Sequence, residues 1–349
     1  MTVNTKRIFY VKYLADLLFA EIVTARPEVR LDKLENWTPE PEATPVLAAA
    51  HAYQIGSARD ELDFGYHAHR DLLARTPNLL VVSTNGAGYD TVRLEDCTQA
   101  GVMVVNQAGG NAEAVAEHVL GMMLCLSKRI IETDRTMRRA PAIERNLYMG
   151  NDLRGKTIGI VGIGHVGSRV AALCRGLFSM RVLAYDPYLS AEEIAARGAE
   201  KVELERLLGT ADFVSINCPR TDETRGMIGA RQYALMQKHA FFITTARGGI
   251  HDENALAQAL AERRIAGAGL DVWEKEPPAH DHPLMRFDNV LVSPHTAGVT
   301  REARLNIARI AAEQMLDILD GKRPPRILNP EVWPRYAERF QRTFGFQPG

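Results

Sequence analysis

The chain has 349 residues, of which 46% are hydrophobic and 24% are charged, and its formal net charge is −1. This length predicts about two domains, and the composition is ordinary for a globular enzyme. A charge so close to zero gives no basic field for nucleic acid or for an anionic membrane, so we expect neither partner.

The N-terminal segment MTVNTKRIFYVKYLADLLFAEI has apolar residues interrupted by Lys12, Asp16 and Glu21. The core of a signal peptide does not tolerate such charges, and no apolar run in the chain is long enough to span a bilayer. The cysteines are scattered without a CxxC pair, at Cys97, Cys125, Cys174 and Cys218. This spacing is typical of reduced thiols. We therefore expect a cytoplasmic protein.

Short apolar runs alternate with helical segments in the first third of the chain. The runs that we predict as buried strands are Arg7–Val11, Val46–Ala50, Leu79–Ser83 and Val102–Asn106. The segments that we predict as helices between them, from their length and polar face, are Asp60–Ala74 and Thr91–Ala100. This alternation predicts a first α/β domain with a parallel sheet.

A long helix is predicted next, from an N-cap at Asn111 through Ile131. The segment Arg135–Asp152 is polar, contains Pro141 and Gly150, and is expected to be an irregular surface excursion. Six further strands are then predicted: Thr157–Gly162, Arg181–Asp186, Phe213–Asn217, Ala240–Thr245, Gly267–Asp271 and Val290–Ser293. Six strands with intervening helices are typical of the doubly wound dinucleotide-binding fold. A last helix is expected over about Arg301–Asp320.

A glycine-rich loop connects the first of these strands to the helix after it. Gly162, Gly164 and Gly167 form a GxGxxG motif between the strand TIGIVG and the helix HVGSRVAALCRGL, which is the context that the motif requires. The glycines allow a tight turn, a close approach of the backbone to a pyrophosphate, and close packing of the helix on the strand. The helix N-terminus offers unpaired N–H groups to the phosphates. A turn without a ligand is the alternative.

Asp186 ends the following strand, RVLAYDPY. A carboxylate there accepts hydrogen bonds from an adenosine ribose and repels a 2′-phosphate. Residues 187–189 (Pro, Tyr and Leu) supply no base to bind such a phosphate. The predicted cofactor is therefore NAD rather than NADP.

Arg247, Glu276 and His295 follow the carboxyl ends of three predicted strands, where an open parallel sheet binds ligands. The planar fork of an arginine matches a carboxylate. A histidine exchanges a proton with a hydroxyl near neutral pH, and a glutamate on its other ring nitrogen fixes the tautomer and favours the imidazolium. Beside NAD, these groups suit a 2-hydroxy acid. Each residue alone is better explained as a surface ion pair or a solvated loop residue, but the three in this order favour catalysis.

Two His-x-His pairs, His67/His69 and His280/His282, have no cysteine or carboxylate at a familiar metal spacing. We expect solvated loop or helix-end residues there, with a metal site as the minor alternative. No metal is therefore predicted.

The sequence resembles the D-isomer-specific 2-hydroxyacid dehydrogenase family, including phosphoglycerate dehydrogenases and hydroxypyruvate or glyoxylate reductases, from about Leu79 to about Gly321. Residues 1–78 are only weakly similar to it. The motifs that carry the resemblance occur in family order: NGAGYDTV, NAEAVAEHVLGMML, VGIGHVG, SINCPRTDETRGMI, TARGGIHDENAL, LDVWEKEPP and SPHTAG. Together these motifs are highly specific.

The resemblance implies roles for individual residues. Arg247, Glu276 and His295 match the catalytic trio. The matches to cofactor contacts are Gly162, Gly164, His165, Val166, Gly167, Asp186, Cys218, Pro219, Thr245, Ala246, Asp271 and Gly298. The backbone of Asn85, Gly86, Ala87 and Gly88 matches the loop that receives the substrate carboxylate. Glu117 and His118, an apparent acid/base pair, are implied to be structural and buried.

The resemblance also implies the architecture. A flavodoxin-like substrate domain formed by residues 1–106 and 300–349 would flank a Rossmann NAD domain at 107–299, with the substrate in the cleft between them. Family members are typically homodimers through the NAD domain, and the helix near Asn111–Ile131 would support that contact. Phosphoglycerate dehydrogenases often carry a further C-terminal regulatory module, which we do not expect here.

The substrate is left open. A small acid such as glyoxylate, hydroxypyruvate or pyruvate competes with 3-phosphoglycerate, although VVSTNGAGYD has no base for a phosphate. A function of another class is an NAD-sensing binding module like the C-terminal-binding-protein corepressors, which share this fold and keep the same trio. Turnover of a 2-keto acid discriminates between these classes.

Overall fold

The computed structural model describes residues 5–59, 62–140 and 142–349. The chain forms two compact units: unit 1 is Met1–Asn111 with Thr300–Gly349, and unit 2 is Ala112–Val299. Each unit has a parallel sheet with helices, so the predicted pair of α/β domains is confirmed. Residues 107–111, which the sequence analysis assigned to the NAD domain, fall in unit 1. There the Gln107 N–H donates to the Gly86 oxygen, and the Gly86 N–H donates to Gln107 Oε1.

In the described part of unit 1 the sheet has five strands, in the order β2-β1-β3-β4-β5. They are β1 (Lys6–Val11), β2 (Val29–Leu34), β3 (Ala52–Ile55), β4 (Val81–Thr84) and β5 (Met103–Val105). All of these strands pair in parallel. The order is the flavodoxin-like one that the resemblance implied.

The helices between these strands are α1 (Leu18–Thr24), α2 (Glu40–Ala49), α3 (Arg70–Arg75) and α4 (Leu94–Ala100). The strand expected at Val46–Ala50 is wrong, because most of that alanine-rich run continues α2 and the strand begins only at Ala52. The edge strand β2 was not predicted.

The long helix expected at Asp60–Ala74 is also wrong. Asp60 and Glu61 lie outside the described residues, and the rest forms a 3-10 turn at Phe64–Tyr66 followed by α3. The turn is held by side-chain contacts, since Tyr53 donates to the Tyr66 oxygen and a ring nitrogen of His67 lies 3.3 Å from the Leu62 oxygen. These contacts replace the backbone pattern of a continuous helix.

The described residues of unit 2 form a parallel sheet of seven strands, in the order β12-β11-β10-β9-β6-β7-β8. The strands are β6 (Thr157–Val161), β7 (Arg181–Tyr185), β8 (Glu200–Lys201), β9 (Phe213–Ile216), β10 (Phe241–Thr244), β11 (Gly267–Leu270) and β12 (Val290–Val292). The six predicted strands are confirmed, and only the two-residue edge strand β8 was missed. The strand order reverses at β6, with β7 and β8 on one side of it and β9 to β12 on the other, and a doubly wound sheet binds its ligand in the crevice at such a reversal.

The helices of unit 2 are α5 (Ala112–Ser127), α6 (Ile130–Arg139), α7 (His165–Phe178), α8 (Ala191–Ala196), α9 (Leu204–Thr210), α10 (Ala230–Leu235) and α11 (Glu253–Ala261). The single helix expected through Ile131 is broken at Arg129, which has a left-handed φ of 55°. The Arg129 guanidinium holds this break with two bonds to Glu132 and one to the Leu147 oxygen. The excursion expected to be irregular therefore begins as α6, and its Pro141 lies outside the described residues.

The chain returns to unit 1 through α12 (Arg301–Leu319) and α13 (Trp333–Phe344). Buried residues of both helices pack in one apolar cluster with Ile8, Val81 and Met103 of the unit 1 sheet. The last predicted helix is therefore confirmed, and it covers one face of that sheet. Among the described helices, none combines the length and the apolar character that a bilayer crossing needs.

Candidate active site

The predicted cofactor and catalytic residues of unit 2 lie just past the carboxyl ends of neighbouring strands. Gly162, Cys218 and Thr245 follow β6, β9 and β10, and Asp271 and His295 follow β11 and β12. Because the strands are parallel, all of these ends lie at one edge of the sheet. The sequence places chemistry-bearing residues at the edge where such a sheet binds ligands.

The glycine loop has the shape that a pyrophosphate site needs. Gly162 adopts a φ of 85°, and a Cβ there would lie 2.7 Å from the Cys218 nitrogen. A Cβ on Gly167 would lie 2.3 Å from the Gly162 oxygen, so α7 packs directly on the turn. At Gly164, by contrast, a Cβ would meet none of the described atoms within 4 Å. The backbone at Gly164 and the exposed start of α7 at His165 therefore face open space, and the residues present fit a dinucleotide phosphate.

Asp186 is half-buried beside this loop. Its two carboxylate oxygens accept the N–H groups of Ile163 and Tyr188, each at 3.2 Å. Arg197 donates to the Ile163 oxygen at 2.6 Å, and Lys201 donates to the Leu189 oxygen. The prediction of NAD rested on residues 187–189 and did not include these cations, of which Arg197, just after α8, contacts the glycine loop and Lys201, in β8, contacts Leu189.

His295 and Glu276 form a direct pair. His295 Nδ1 lies 2.7 Å from Glu276 Oε2, and Glu276 Oε1 accepts the Trp273 N–H at 3.0 Å. A carboxylate can only accept, so the Nδ1–H of His295 is the donor and Nε2 remains for a ligand. The predicted dyad is thus present in the geometry of this unit.

The dyad shifts both titrations. Burial by itself lowers the pKa of His295, but the hydrogen bond and charge of Glu276, with the charge of Asp271, outweigh burial and the opposing charge of Arg247. The pKa of His295 therefore ends above its ordinary value. Burial raises the pKa of Glu276, yet its bonds to His295 and Trp273 and the charges of His295 and Arg247 bring that pKa below its ordinary value. The pair favours imidazolium beside carboxylate.

Arg247 follows β10 on a loop that two glycines make possible. A Cβ on Gly248 would lie 1.7 Å from the Trp273 oxygen, and Gly249 has a φ of 77°. This close contact joins the Arg247 loop to the segment that carries Glu276. The guanidinium is half-buried, donates to the Ala246 oxygen at 2.7 Å, and acts on both members of the dyad through its charge. The predicted trio is brought together within unit 2.

His295 has a left-handed backbone, with a φ of 55°. Such a conformation is strained for a residue with a Cβ and persists only where its surroundings hold it. Asp271 supplies that support, since its backbone oxygen accepts the His295 N–H at 2.7 Å and its carboxylate accepts the N–H groups of Thr296 and Ala297. Asp271 was predicted only as a cofactor contact, and this supporting role was not predicted because residues 271 and 295–297 meet only in the folded unit.

The other predicted cofactor contacts vary in exposure. His165 and Pro219 are exposed, Val166, Cys218, Ala246 and Gly298 are half-buried, and Thr245 is buried. Burial raises the pKa of the Cys218 thiol to about 11, so Cys218 is a neutral thiol rather than a reactive thiolate. Their contacts with a cofactor stay predictions.

The predicted substrate loop, Asn85–Gly88, follows β4 at the carboxyl edge of the unit 1 sheet. The Asn85 N–H donates to the Ile55 oxygen, and the Gly86 N–H is taken by Gln107. Within the described part of the chain, Ala87 and Gly88 have no acceptor for their N–H groups. These two amides are therefore the ones free to bind an anion, a distinction that the sequence motif alone could not make.

The burial implied for the pair Glu117 and His118 is wrong for Glu117, which is exposed, while His118 is half-buried and bonded to Ser293. Of the His-x-His pairs, His69 and His282 are helix-end residues as expected, since each caps the N-terminus of a helix. Only His67 departs from the expectation, because it is buried. Among the described residues, no group of three or more His, Cys, Asp or Glu side chains could hold a metal ion.

Comparison with known proteins places this geometry in a family. Residues 120–297 match the family model "D-isomer specific 2-hydroxyacid dehydrogenase, NAD binding domain". The chain is 41% identical over 251 residues to a D-3-phosphoglycerate dehydrogenase of Archaeoglobus fulgidus, covering 72% of this chain and 47% of that protein. It is 40% identical over 268 residues to a glyoxylate reductase of Aeropyrum pernix, covering 75% of this chain and 80% of that protein.

The chain thus spans about half the length of the phosphoglycerate dehydrogenase but most of the glyoxylate reductase. Among solved structures, a D-lactate dehydrogenase from Aquifex aeolicus, complexed with NAD and lactic acid, has a TM-score of 0.77 and 26% identity over 90% of this chain and 96% of that one. The chain belongs to the D-isomer specific 2-hydroxyacid dehydrogenase family, and unit 2 is its NAD binding domain.

Proposed function

We propose that the protein is an NAD-dependent oxidoreductase that interconverts a D-2-hydroxy acid and the corresponding 2-keto acid. The observation that carries the proposal is the His295–Glu276 pair, with Arg247 in electrostatic reach, at the ligand-binding edge of an NAD binding domain. The direct experiment is steady-state turnover with NADH and a panel of 2-keto acids. Absence of turnover across the panel would refute the proposal.

Arg247 and the loop Asn85–Gly88 are proposed to bind the substrate carboxylate. The guanidinium offers two parallel donors that match the two carboxylate oxygens. On the loop of unit 1, the N–H groups of Ala87 and Gly88 are the available donors, while Asn85 and Gly86 position the loop with their own bonds. Both groups recognise an anion, which fits a carboxylic acid substrate.

His295 is proposed to carry the proton. In keto acid reduction its Nε2–H donates to the carbonyl oxygen, and in hydroxy acid oxidation neutral Nε2 accepts the hydroxyl proton. Glu276 holds the tautomer that leaves Nε2 available and stabilises the imidazolium. Bound nicotinamide would supply or accept the hydride.

The residues proposed to hold NAD lie at the strand ends of unit 2. Asp186 would bind the ribose, and the amides of the glycine loop would bind the pyrophosphate. The remaining proposed contacts are Gly162, Gly164, His165, Val166, Gly167, Cys218, Pro219, Thr245, Ala246, Asp271 and Gly298. The fit of the open Gly164 backbone supports this arrangement.

A small, unphosphorylated 2-keto acid such as glyoxylate or hydroxypyruvate is the proposed substrate. The loop VVSTNGAGYD contributes no Lys or Arg to bind a phosphate, and the similar Aeropyrum pernix protein is named a glyoxylate reductase. D-3-phosphoglycerate is the second candidate, because a 41% identical relative is named for it. Comparing kcat/KM for glyoxylate, hydroxypyruvate, pyruvate and 3-phosphohydroxypyruvate decides between them.

An NAD-sensing binding module is the alternative of another class, because the fold and the trio would be the same. The two functions differ in turnover. A protein that binds NADH with high affinity but reduces no 2-keto acid would favour the sensing function, and measurable turnover would favour the enzyme.

We also propose a cytoplasmic homodimer that associates through unit 2. Helix α6 has no buried residue, and the exposed apolar side chains in and near it are Ile130, Met137, Leu147 and Met149. Such a patch is typical of a protein interface. Light scattering should report a mass twice that of one chain. The double variant Met137→Glu with Leu147→Glu should shift the measured mass toward that of the monomer. A monomeric parent protein would contradict the proposal.

The proposed cytoplasmic location is supported by the four free cysteines.

A further inference from the structure

A chain of hydrogen bonds links His118 of α5 to the loop of His295. His118 Nε2 lies 3.0 Å from Ser293 Oγ, and Ser293 Oγ lies 2.6 Å from Asp271 Oδ1. His118 Nε2 is also 3.9 Å from the same carboxylate oxygen. Asp271 is fully buried, Ser293 lies at the end of β12, and the His118 side chain is partly exposed. The three residues are far apart in sequence and meet at one edge of the unit 2 sheet.

The directions of these bonds follow from what each group can donate. Asp271 Oδ1 accepts the Thr296 N–H at 2.8 Å and Oδ2 accepts the Ala297 N–H at 2.9 Å, an arrangement that fits an ionised carboxylate. The Ser293 hydroxyl therefore gives its single proton to Oδ1. Its remaining lone pairs face His118, so the Nε2 of His118 carries a hydrogen and donates it. Loss of the His118 donor leaves the hydroxyl free to rotate away from Asp271.

Asp271 is the residue through which this network reaches the catalytic loop. Its backbone oxygen and carboxylate together take the N–H groups of three successive residues, 295 to 297. Those bonds hold the left-handed conformation of His295, from which Nδ1 reaches Glu276. Ser293 has a second link to the site through Trp273. The backbone oxygen of Ser293 accepts the indole N–H of Trp273, and the backbone N–H of Trp273 donates to Glu276.

We propose that His118 is a positioning residue for the proton transfer, acting through Ser293 and Asp271 on the backbone of His295. The inference rests on the proposed function of His295 and assigns His118 no contact with substrate or cofactor. Positioning matters because a displacement of about 1 Å at a reacting group can cost about 10²-fold in rate. Losing the His118 hydrogen bond removes only part of the support for the His295 loop, so the rate should fall by less, on the order of tenfold.

The test replaces the donor and then restores it. His118→Leu removes the Nε2–H, whereas His118→Gln puts an amide donor at a similar reach. Ser293→Ala removes the next link, and Ser293→Thr keeps the hydroxyl. His239→Leu is the matched control, because His239 also pairs with an acid, Asp212, but at the opposite edge of the sheet.

Three quantities are measured in each full-length variant: kcat for keto acid reduction, the Kd of NADH by fluorescence, and the titration of the His295 ring by NMR of labelled histidine. The groups that act on this titration are Glu276, Asp271 and Arg247. His118→Leu and Ser293→Ala should each lower kcat about tenfold, leave the Kd within twofold, and lower the pKa of His295, since a displaced ring loses its bond to Glu276. The double variant should be no worse than either single one.

Rescue separates positioning from a merely structural role. His118→Gln and Ser293→Thr should recover most of kcat and the His295 titration, and His239→Leu should change neither. An unchanged His295 titration in His118→Leu, a failure of both rescues, or a loss of NADH affinity equal to the loss of kcat would overturn the inference. The NMR titration needs no substrate, so a parent protein without turnover would refute the proposed function while this inference was still tested.

Discussion

Glu276 Oε2 lies 2.7 Å from His295 Nδ1, and this contact sets the direction in which the pKa of His295 is shifted. Burial and the nearby Arg247 charge both disfavour the imidazolium, yet the hydrogen bond and charge of Glu276 raise the pKa of His295 above its ordinary value. The histidine is thus kept protonated in a site that would otherwise neutralise it. A general acid for keto acid reduction needs that property.

Glu276→Gln should lower kcat and move the pH profile of reduction. Glu276 accepts from both His295 and Trp273, and a glutamine has one oxygen for these two donors. With the charge gone, the pKa of His295 falls, so reductase activity is lost at a lower pH as the pH rises. The check is kcat against pH in both directions. An upward shift, or profiles that overlay the parent's, would mean that the pair does not act in catalysis.

Arg247→Ala should shift the same profile in the opposite direction. The Arg247 charge lowers the pKa of His295, so its removal should extend reductase activity to higher pH. Loss of the guanidinium should also raise KM for the keto acid and lower kcat/KM by roughly 10²-fold, as for a charged group left without its partner. NADH affinity, titrated by fluorescence, should stay within a few-fold. Arg247→Lys keeps the charge without the fork and should restore the pH profile but not KM. Lost NADH binding would instead indicate a structural role.

The parent protein should prefer NADH to NADPH because the Asp186 carboxylate repels a 2′-phosphate. Asp186→Ser should narrow that preference, because it removes the charge that repels the phosphate while the Arg197 cation stays bound to the oxygen of Ile163, the residue whose N–H Asp186 accepts. The measurement is the ratio of kcat/KM for the two cofactors, with the surface substitution Asp317→Ser as the control. Equal use of both cofactors by the parent would contradict the role of Asp186.

His251 should make the protein sensitive to acid. It is buried in unit 2, neither ring nitrogen has a partner among the described residues, and burial lowers its pKa to about 4. The unfolded chain binds this proton near pH 6.5, so the contribution to stability is complete above that pH. It is lost as the pH falls from 6.5 toward 4, by up to about 1.4 kcal/mol per pH unit.

His251→Leu should therefore flatten the fall in the free energy of unfolding over this range, measured by denaturant titration at several pH values. His239→Gln, a change at an exposed histidine, is the control. An unchanged slope in His251→Leu would show that other groups cause the acid sensitivity.

The sequence predicts unit 2 better than unit 1, for a physical reason. Strands β9 to β11 are central and almost entirely buried, so their bounds can be predicted from apolar runs, and the functional residues Arg247 and Asp271 follow β10 and β11 closely in the sequence. Strand β2 is an edge strand in which Arg30, Asp32 and Lys33 interrupt the apolar residues, and it gives no such signal. The alanine-rich run before His51 fits a helix as well as a strand.

The parts of the candidate site also differ in whether the sequence predicts them. We can predict Arg247, Glu276 and His295 from the ends of strands, because the chemistry of each residue is visible in its own short segment. The hydrogen bonds that support this trio cannot be predicted, since they join His118, Asp271 and Ser293 from distant segments. The approach of Arg197 to the glycine loop depends likewise on how α8 packs. Such tertiary contacts have no signature in a single sequence.

Transfer of deuterium tests the central claim most directly. The protein is mixed with NADH carrying deuterium on the transferred position of nicotinamide and with glyoxylate, hydroxypyruvate or pyruvate, and the product is analysed by mass spectrometry and chiral chromatography. We expect deuterium on C2 of the 2-hydroxy acid, the D configuration wherever C2 is a stereocentre with a side chain, and a loss of rate of about 10²–10⁴ in His295→Ala. Products without deuterium at C2, an L product, or a His295→Ala rate equal to the parent's would contradict the account.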